Sequence, residues 1–285
     1  MTVSDEPRIV QLDPLVRRVL ADNRSPFTYT GTQTYVVGRG EVAVIDPGPD
    51  MAEHVDMLLD VTKGERIVAI MCTHTHRDHS PASQALKQAT GAPIIGCAPL
   101  VLDDKGPRSD AGFDPDYRAD TVLANGDRLE REGWTLEAVA TPGHTSNHLC
   151  YALLENKALF TGDHVMGWST TVVSPPDGDM ADYLASLDLL IGRDDAVYHA
   201  AHGPAMERPQ RLVRSLLSHR RQRERQILRH IERGEGNIPQ IVGQMYRGID
   251  PRLHGAAGRS VLAHLIDLET RGLVMRSDEQ WLLAS

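Results

Sequence analysis

Residues 73–79 hold three histidines, His74, His76 and His79, together with the carboxylate of Asp78. They directly follow an apolar stretch, residues 67–72, that predicts a buried strand. Imidazole nitrogens and carboxylate oxygens are the ligands that zinc takes at about 2 Å. Histidines this close together would repel one another once protonated, and a bound metal ion removes that conflict. The segment therefore predicts a metal site at the end of a strand.

Residues of the same types recur further along the chain. His144 lies in Thr-Pro-Gly-His-Thr, Asp163 in Thr-Gly-Asp-His and His202 in Ala-His-Gly-Pro. Each follows a predicted strand, as does Asp46 in Asp-Pro-Gly. Polar residues at strand ends are typical of the sites that α/β sheets build. We expect these side chains to converge on the same centre.

Short apolar runs alternate with amphipathic stretches between about residues 30 and 206, which is the pattern of sheets covered by helices. Residues 35–37 and 42–45 flank a glycine turn and predict a hairpin. Ser80 is expected to cap the second helix, with Pro81 at its first position, and residues 103–119 to form a surface loop. The remaining predicted strands are 67–72, 94–97, 136–140, 150–154 and 158–160, and the predicted helices are 51–63, 81–90 and 180–191.

The C-terminal part has a different composition. Residues 207–285 contain 14 Arg against 9 Asp and Glu, although the whole chain has a net charge of −9. An arginine-rich helix is predicted over 208–233, followed by helices at 238–246 and 259–271 and a hairpin of 273–275 with 281–283. This is the outline of a winged helix-turn-helix. We expect a catalytic domain at 1–206 and a helical, winged-helix-like domain at 207–285.

The composition of the 285 residues, 41% hydrophobic and 24% charged, excludes a coiled coil and a wholly disordered chain. No apolar run approaches the roughly 18 to 20 residues that a membrane helix needs. Residues 1–10 do not resemble a signal peptide, so a cytoplasmic protein is expected. Three widely spaced cysteines, Cys72, Cys97 and Cys150, are interpreted as small core residues.

The H-x-H-x-D-H run, followed by a separated His, Asp and His, resembles the metallo-β-lactamase-fold superfamily over about residues 30–206. The resemblance implies an αββα sandwich with two Zn²⁺ per chain between its sheets; iron and manganese stay open as alternatives. The family pattern assigns three residues to each metal and a bridging role to Asp163. The first metal would take His74, His76 and His144, and the second Asp78, His79 and His202.

The same resemblance suggests roles for residues around the metals. Asp78 would be the catalytic residue that holds the attacking water and carries a proton. Asp46 would hydrogen-bond and orient the ligand loop. His148 matches a histidine common in glyoxalase II-like relatives, and a supporting or buried structural role is expected for it rather than ligation.

A narrower resemblance is to the β-lactamase-like protein 2 family, which joins this zinc domain to a C-terminal winged helix. Residues 31–35, 73–82 and 202–204 carry the similarity. Mitochondrial members of that family are single-strand endoribonucleases. Two departures, Gln33 in place of Asn and Ser80-Pro81 in place of Gly-Gly, predict a different pocket rim.

The leading hypothesis is a zinc-dependent hydrolase that uses a metal-bound hydroxide on an ester, thioester, lactone or phosphodiester. Small acyl or phosphodiester substrates are expected, whereas binding to duplex DNA or to a membrane is not. Binding to RNA and formation of a homodimer are left open. Three alternatives remain: a single-strand endoribonuclease, a mononuclear iron enzyme similar to sulfur dioxygenases, and a winged-helix DNA-binding regulator. The arginine-rich helix would either bind nucleic acid or form a solvated face.

Overall fold

The computed structural model describes residues 6–101, 112–248 and 250–284. Contacts divide these residues into two compact units. The first contains the described residues up to Ala140 with Asn147–Ser169 and Asp194–Pro209, and the second contains Thr141–Ser146, Thr170–Arg193 and the described residues from Gln210 onwards. Within the described ranges, no helix combines the length and apolar character that crossing a membrane requires.

The first unit contains a seven-stranded sheet in which the strands lie in chain order. The first four strands pair antiparallel, and the next three join them in parallel. The strand Arg66–Cys72, which has a parallel neighbour on each side, is buried at six of its seven positions, as expected for a strand covered on both faces. The strands are β1 (Ile9–Asp13), β2 (Val16–Leu20), β3 (Gln33–Arg39), β4 (Glu41–Ile45), β5 (Arg66–Cys72), β6 (Ile94–Gly96) and β7 (Thr121–Val122).

A six-stranded sheet is the second layer of the same unit. Its strands are β8 (Arg128–Arg131), β9 (Trp134–Ala140), β10 (Leu149–Leu153), β11 (Ala158–Gly162), β12 (Val197–Ala200) and β13 (Met206–Glu207), in the spatial order β13-β12-β11-β10-β9-β8. The pair β11 and β12 is parallel, and the other neighbours are antiparallel. One hydrophobic core contains buried residues of both sheets, so they pack as a sandwich.

Helices α1 (Ala52–Val61) and α2 (Ala82–Thr90) contribute Leu58 and Leu86 to this core, and both side chains are fully buried. The three cysteines are buried free thiols, which confirms their prediction as core residues. The sandwich therefore obtains its stability from apolar burial rather than from cross-links.

The second unit contains helices α3 (Met180–Ile191), α4 (Pro209–Glu232), α5 (Ile238–Met245) and α6 (His254–Thr270), with a 3₁₀ turn at Pro251–Leu253. Strands β14 (Val274–Ser277) and β15 (Gln280–Leu283) form an antiparallel hairpin. Ile227 and Ile231 of α4 pack in one core with α5, α6 and Trp281 of the hairpin. The predicted order of helix, helix and hairpin after a long arginine-rich helix is confirmed.

Several predicted elements differ from the structure. Strands β1 and β2 were not predicted, because Arg17 and Arg18 interrupt the apolar pattern of β2; Arg18 is nevertheless buried, where it bonds to Glu6 and Gln33. Helix α6 begins five residues before the predicted start at 259. Its first turns contain two glycines, which disfavour helix, but Ala256 and Ala257 between them are buried.

The predicted cap of α2 is wrong. Pro81 is the N-cap residue and Ser80 makes no capping bond, because its hydroxyl donates to Asp114 Oδ2 at 2.9 Å instead. The predicted surface loop at 103–119 lies outside the described residues up to position 111. Within the described remainder Tyr117 is fully buried, so that part does not lie wholly on the surface.

The turn between β3 and β4 generates a stability prediction. Gly38 and Gly40 both have positive φ, 105° and 70°. A Cβ added at Gly38 would lie 2.3 Å from Trp134 Nε1 and 2.6 Å from the carbonyl oxygen of Glu41, which accepts a hydrogen bond from that indole; a Cβ at Gly40 meets nothing within 4 Å. Backbone strain is thus common to both positions, and steric overlap occurs at only one.

We expect Gly40→Ala to lower the free energy of unfolding by about 1–2 kcal/mol through its positive φ. Gly38→Ala should lower it by about 2 kcal/mol more, because the buried indole must also move. Urea denaturation of the two variants and the parent chain measures the difference. Equal losses for both alanines would show that the indole does not constrain the turn.

Candidate metal centre

Parallel strand pairs bring the predicted site residues to common sheet edges. Asp46 follows β4, and the segment 73–79 follows its parallel neighbour β5. In the other sheet Asp163 follows β11, and His202 lies two residues beyond its parallel neighbour β12. Neighbouring parallel strands end at the same edge, so residues distant in sequence become close in space.

The buried carboxylate of Asp46 organises the histidine segment. Its Oδ1 accepts from the backbone N–H of Thr73 at 2.7 Å, and its Oδ2 accepts from the Thr73 hydroxyl at 2.8 Å. The same Oδ2 lies 3.0 Å from Nδ1 of His79, which therefore carries the proton. Asp46 itself adopts a φ of 49°, a left-handed conformation that Asp tolerates better than most residues.

This network fixes the tautomers of two imidazoles. With its proton on Nδ1, His79 presents a lone pair at Nε2. The Thr73 hydroxyl donates to Asp46, so it can only accept from His74 Nδ1, which lies 3.0 Å away. Nε2 of His74 is then also a lone-pair donor. One carboxylate thus prepares two histidines as ligands, one directly and one through a hydroxyl.

Asp78, His79 and His202 form one group of converging donors, with ligand atoms within 4.8 Å of one another. Nε2 of His202 lies 3.2 Å from Asp78 Oδ2. Nε2 of His79 lies 3.5 Å from the same oxygen, at the limit of hydrogen bonding, and it is buried without a hydrogen-bond partner among the described residues. A buried lone pair in this position is suited to a metal ion.

His74, His76 and Asp163 belong to a second group, in which the ligand atoms again lie within 4.8 Å. Nε2 of His74 and Nδ1 of His76 are 3.0 Å apart. Two nitrogens that bind one tetrahedral zinc ion at about 2.1 Å are roughly 3.4 Å apart, slightly further than here. Oδ1 of Asp163 also lies 3.3 Å from His202 Nε2 and 3.7 Å from His79 Nε2, so this carboxylate adjoins both groups.

His144 and His148 are the two remaining predicted site residues. His144 lies in the segment Thr141–Ser146 of the second unit, where its Nδ1 is 2.7 Å from the carbonyl oxygen of Val172. That bond orients the imidazole ring, as carbonyl acceptors do for histidine ligands in metal sites. His148 is buried and stacks on His74, with ring centroids 5.2 Å apart, and it belongs to neither donor group of the described residues.

Charges within the first group oppose the effect of burial. Burial alone would raise the pKa of Asp78, but His79 and His202 hold it well below its usual range. Burial would lower the pKa of His79, yet Asp78 and Asp163 raise it well above its usual value, and Asp163 acts similarly on the pKa of His202. The acidic groups therefore favour positive charge among these imidazoles, and a divalent cation supplies such charge.

His202 depends on residues that sequence analysis did not assign to the site. Gln33 Nε2 donates to the carbonyl oxygens of Ala200 at 3.1 Å and Gly203 at 2.6 Å, on either side of the ligand. The Tyr35 hydroxyl donates a hydrogen bond to the carbonyl oxygen of Ala200. Nδ1 of His202 lies 3.2 Å from the carbonyl oxygen of Gly31. Gln33 is buried, so its contribution to this loop is through hydrogen bonds rather than exposed surface. A long polar side chain at the buried start of β3 is the signal that could have identified it.

The donor set as a whole is imidazole and carboxylate, with no thiolate among the described members of either group. Such ligands suit zinc, iron or manganese rather than copper(I) or an iron–sulfur cluster. Most of the donors are buried, whereas the side chain of Asp78 remains 25% exposed. The geometry fits divalent cations held at the end of the strands with one side open to solvent.

Comparison with known proteins agrees with this geometry. Residues 28–202 match the metallo-β-lactamase superfamily, and residues 238–281 match the β-lactamase-associated winged helix domain. A β-lactamase-like protein 2 homolog of Drosophila melanogaster is 31% identical, with 93% of this chain and 91% of that protein covered. An atrochrysone carboxyl ACP thioesterase of Aspergillus fumigatus is 30% identical, with 80% of this chain and 68% of that protein covered.

Among solved structures, a β-lactamase domain protein from Burkholderia ambifaria superimposes with a TM-score of 0.80 at 19% identity, over 99% of this chain and 96% of the other. At this identity the similarity concerns the fold, and it confirms the predicted αββα sandwich with a C-terminal winged helix. The superfamily match covers more than half of the chain and contains all seven residues predicted as metal ligands, with His202 as its last residue. The chain is therefore a member of the metallo-β-lactamase superfamily of hydrolases that carries a β-lactamase-associated winged helix domain.

Proposed function

We propose that this protein is a dinuclear zinc hydrolase that cleaves thioesters. One metal would be held by His74, His76 and His144, the other by Asp78, His79 and His202, with Asp163 between them. The observation that carries the proposal is the pair of converging donor groups with a carboxylate oxygen adjoining both. Divalent ions bound there would lower the pKa of a water molecule and polarise the carbonyl oxygen of the substrate.

Asp78 is the acid best placed to contact the reacting water. Its side chain is 25% exposed, whereas those of His79 and His202 are 0% and 1% exposed. The imidazoles can therefore hold Asp78 from the buried side while its carboxylate reaches the open side. In this arrangement the carboxylate accepts a hydrogen bond from water, directs it toward the carbonyl carbon and takes up its proton.

A thioester matches what these residues provide. A thiol has a pKa near 8.5, so a thiolate leaves without help from a general acid. Activation of water and polarisation of the carbonyl then suffice for the reaction. The Aspergillus fumigatus relative is named a thioesterase, which supports this substrate class. A protein of the same name from Passalora fulva is 31% identical to this chain and supports it as well.

Metal analysis and a substrate panel test the reaction class together. We expect about two zinc ions per chain and chelator-sensitive hydrolysis of thioesters. Esters, lactones, β-lactams, phosphodiesters and single-stranded RNA, assayed in the same preparation, should react far more slowly. About one iron ion per chain with oxygen uptake would contradict the proposal and favour an oxygenase.

Asp78→Asn tests the role of the carboxylate separately from metal retention. The amide keeps the shape but cannot accept the proton, so kcat should fall by about 10²-fold or more in a preparation restored to the parent metal content. Metal content is measured on the same sample. Parent-level kcat in a metal-replete Asp78→Asn protein would remove Asp78 from the reaction.

Asp46→Asn tests whether the buried carboxylate prepares the ligands. An amide cannot accept from Thr73 N–H, Thr73 Oγ1 and His79 Nδ1 at once, so the His79 tautomer is lost. We expect metal affinity to fall by about 10- to 100-fold, measured as metal retained against a competing chelator. Asp114→Asn is the matched control, because Asp114 bonds to Ser80 beside the same segment and to neither imidazole. Equal retention in both variants would contradict the role of Asp46.

A further inference from the structure

One face of α4 carries a line of exposed arginines. Successive residues of a helix are rotated by about 100°, so Arg211, Arg214, Arg221, Arg225 and Arg229 fall within an arc of about 80°. All five are exposed, and the buried residues of the helix, among them Val213 and Ile227, point the opposite way. The line is about 27 Å long at 1.5 Å per residue. We refer to these five residues as the arginine stripe.

The arginine stripe has little internal charge compensation. Arg221 lies 3.8 Å from Asp188, in a pair whose side chains are 59% and 57% exposed. The other four arginines have no ion-pair partner among residues 6–101, 112–248 and 250–284. Such an exposed pair contributes little to stability. The stripe is therefore available to anions in solution.

An ordinary solvated face does not account for this composition. Solvated helix faces usually mix both signs of charge at i and i+4, whereas Arg221, Arg225 and Arg229 repeat the same charge at that spacing, which destabilises a helix. The other residues in the arc are Ser218 and Glu232. Without the stripe, residues 207–285 hold nine Arg and nine Asp and Glu, so the stripe accounts for the positive charge of this part of the chain.

Other arginines of α4 show what a structural role looks like. Arg220 is buried, donates to the carbonyl oxygen of Thr171 and lies 5.1 Å from the ring centroid of Tyr183. Arg223 lies 4.7 Å from the ring centroid of Tyr246 and bonds to His219. Each has a protein partner for its guanidinium. Apart from the exposed pair of Arg221 with Asp188, the stripe arginines have no such contact among the described residues, so we look for their partner outside the chain.

We propose that the arginine stripe docks the acidic surface of a carrier protein that delivers the thioester. This inference rests on the proposed thioesterase function. Guanidinium groups bind carboxylates in a bidentate manner, and a row of them fits an acidic helix or loop of a second protein. Single-stranded RNA fits less well, because its binding relies on aromatic stacking and the arc contains no aromatic residue.

The test compares two double variants with the same change in charge. Arg214→Glu with Arg225→Glu reverses two stripe positions, and Glu favours helix about as well as Arg. Lys63→Glu with Arg247→Glu is the control, since both side chains are exposed and lie outside α4. Thermal denaturation of both proteins checks that they fold as the parent chain does.

Each protein is assayed with an octanoyl thioester on a purified acyl carrier protein and with octanoyl-pantetheine, which lacks the carrier. At low salt the stripe variant should show a KM about tenfold or more higher for the carrier-bound substrate, with kcat unchanged. Its kcat/KM for octanoyl-pantetheine should equal that of the parent, and the control variant should match the parent on both substrates. An unchanged KM for the carrier-bound substrate, or equal losses on both substrates, would overturn the proposal.

Binding of the unacylated carrier protein separates docking from catalysis. Salt-dependent binding that the stripe variant loses and the control variant keeps would support docking even if no thioester were hydrolysed, in which case the proposed function alone would fail. Absence of carrier binding by the parent chain would overturn docking whatever the activity. Stripe-dependent binding of a single-stranded RNA oligonucleotide without carrier binding would also overturn it, in favour of a nucleic-acid surface.

Discussion

A buried carboxylate, that of Asp46, decides which nitrogens of the candidate centre carry lone pairs. It accepts directly from His79 Nδ1 and, through the Thr73 hydroxyl, determines the direction of the bond to His74. Both imidazoles then present Nε2 to the interior of the site. A neutral imidazole has one donor and one acceptor nitrogen, so without this partner either tautomer could form and the lone pairs would not be fixed.

The sandwich makes this arrangement possible through its parallel strand pairs. Asp46 and Thr73 leave neighbouring strands of one sheet, and Asp163 and His202 leave neighbouring strands of the other. The core shared by the two sheets holds both edges in place. Because the strands are buried and well packed, the short segments that follow them inherit precise positions, and each ligand needs only local hydrogen bonds to set its final orientation.

Sequence patterns predicted best those features that depend on residues close together in the chain. The histidines of residues 73–79 follow an apolar strand directly, so their convergence with Asp46 could be foreseen from composition and spacing. The hydrogen bonds from Gln33 to Ala200 and Gly203 could not, since they join residues 167 and 170 positions apart that become neighbours only when the sheets pack. No local pattern encodes such pairs.

Local preference also failed where tertiary contacts outweighed it. Ser80 has the right type and position for a helix cap, but Asp114, whose backbone N–H donates to the carbonyl oxygen of Thr75, offers its hydroxyl a charged acceptor. The glycines of the first turns of α6 predicted a later helix start, but burial of Ala256 and Ala257 favours the helix there. Strand β2 was not predicted because Arg18 interrupts its apolar pattern. In the structure Arg18 is buried and forms an ion pair with Glu6.

The balance between burial and exposure at the centre distinguishes a catalytic metal site from a structural one. Structural zinc sites are closed and often supply the energy of folding in small domains. Here the first unit has a large apolar core built from two sheets, and burial of that core supplies folding energy. His79 and His202 are enclosed, but Asp78 reaches solvent. A centre that is rigid on its protein side and open on the other has the form that chemistry on an external substrate requires.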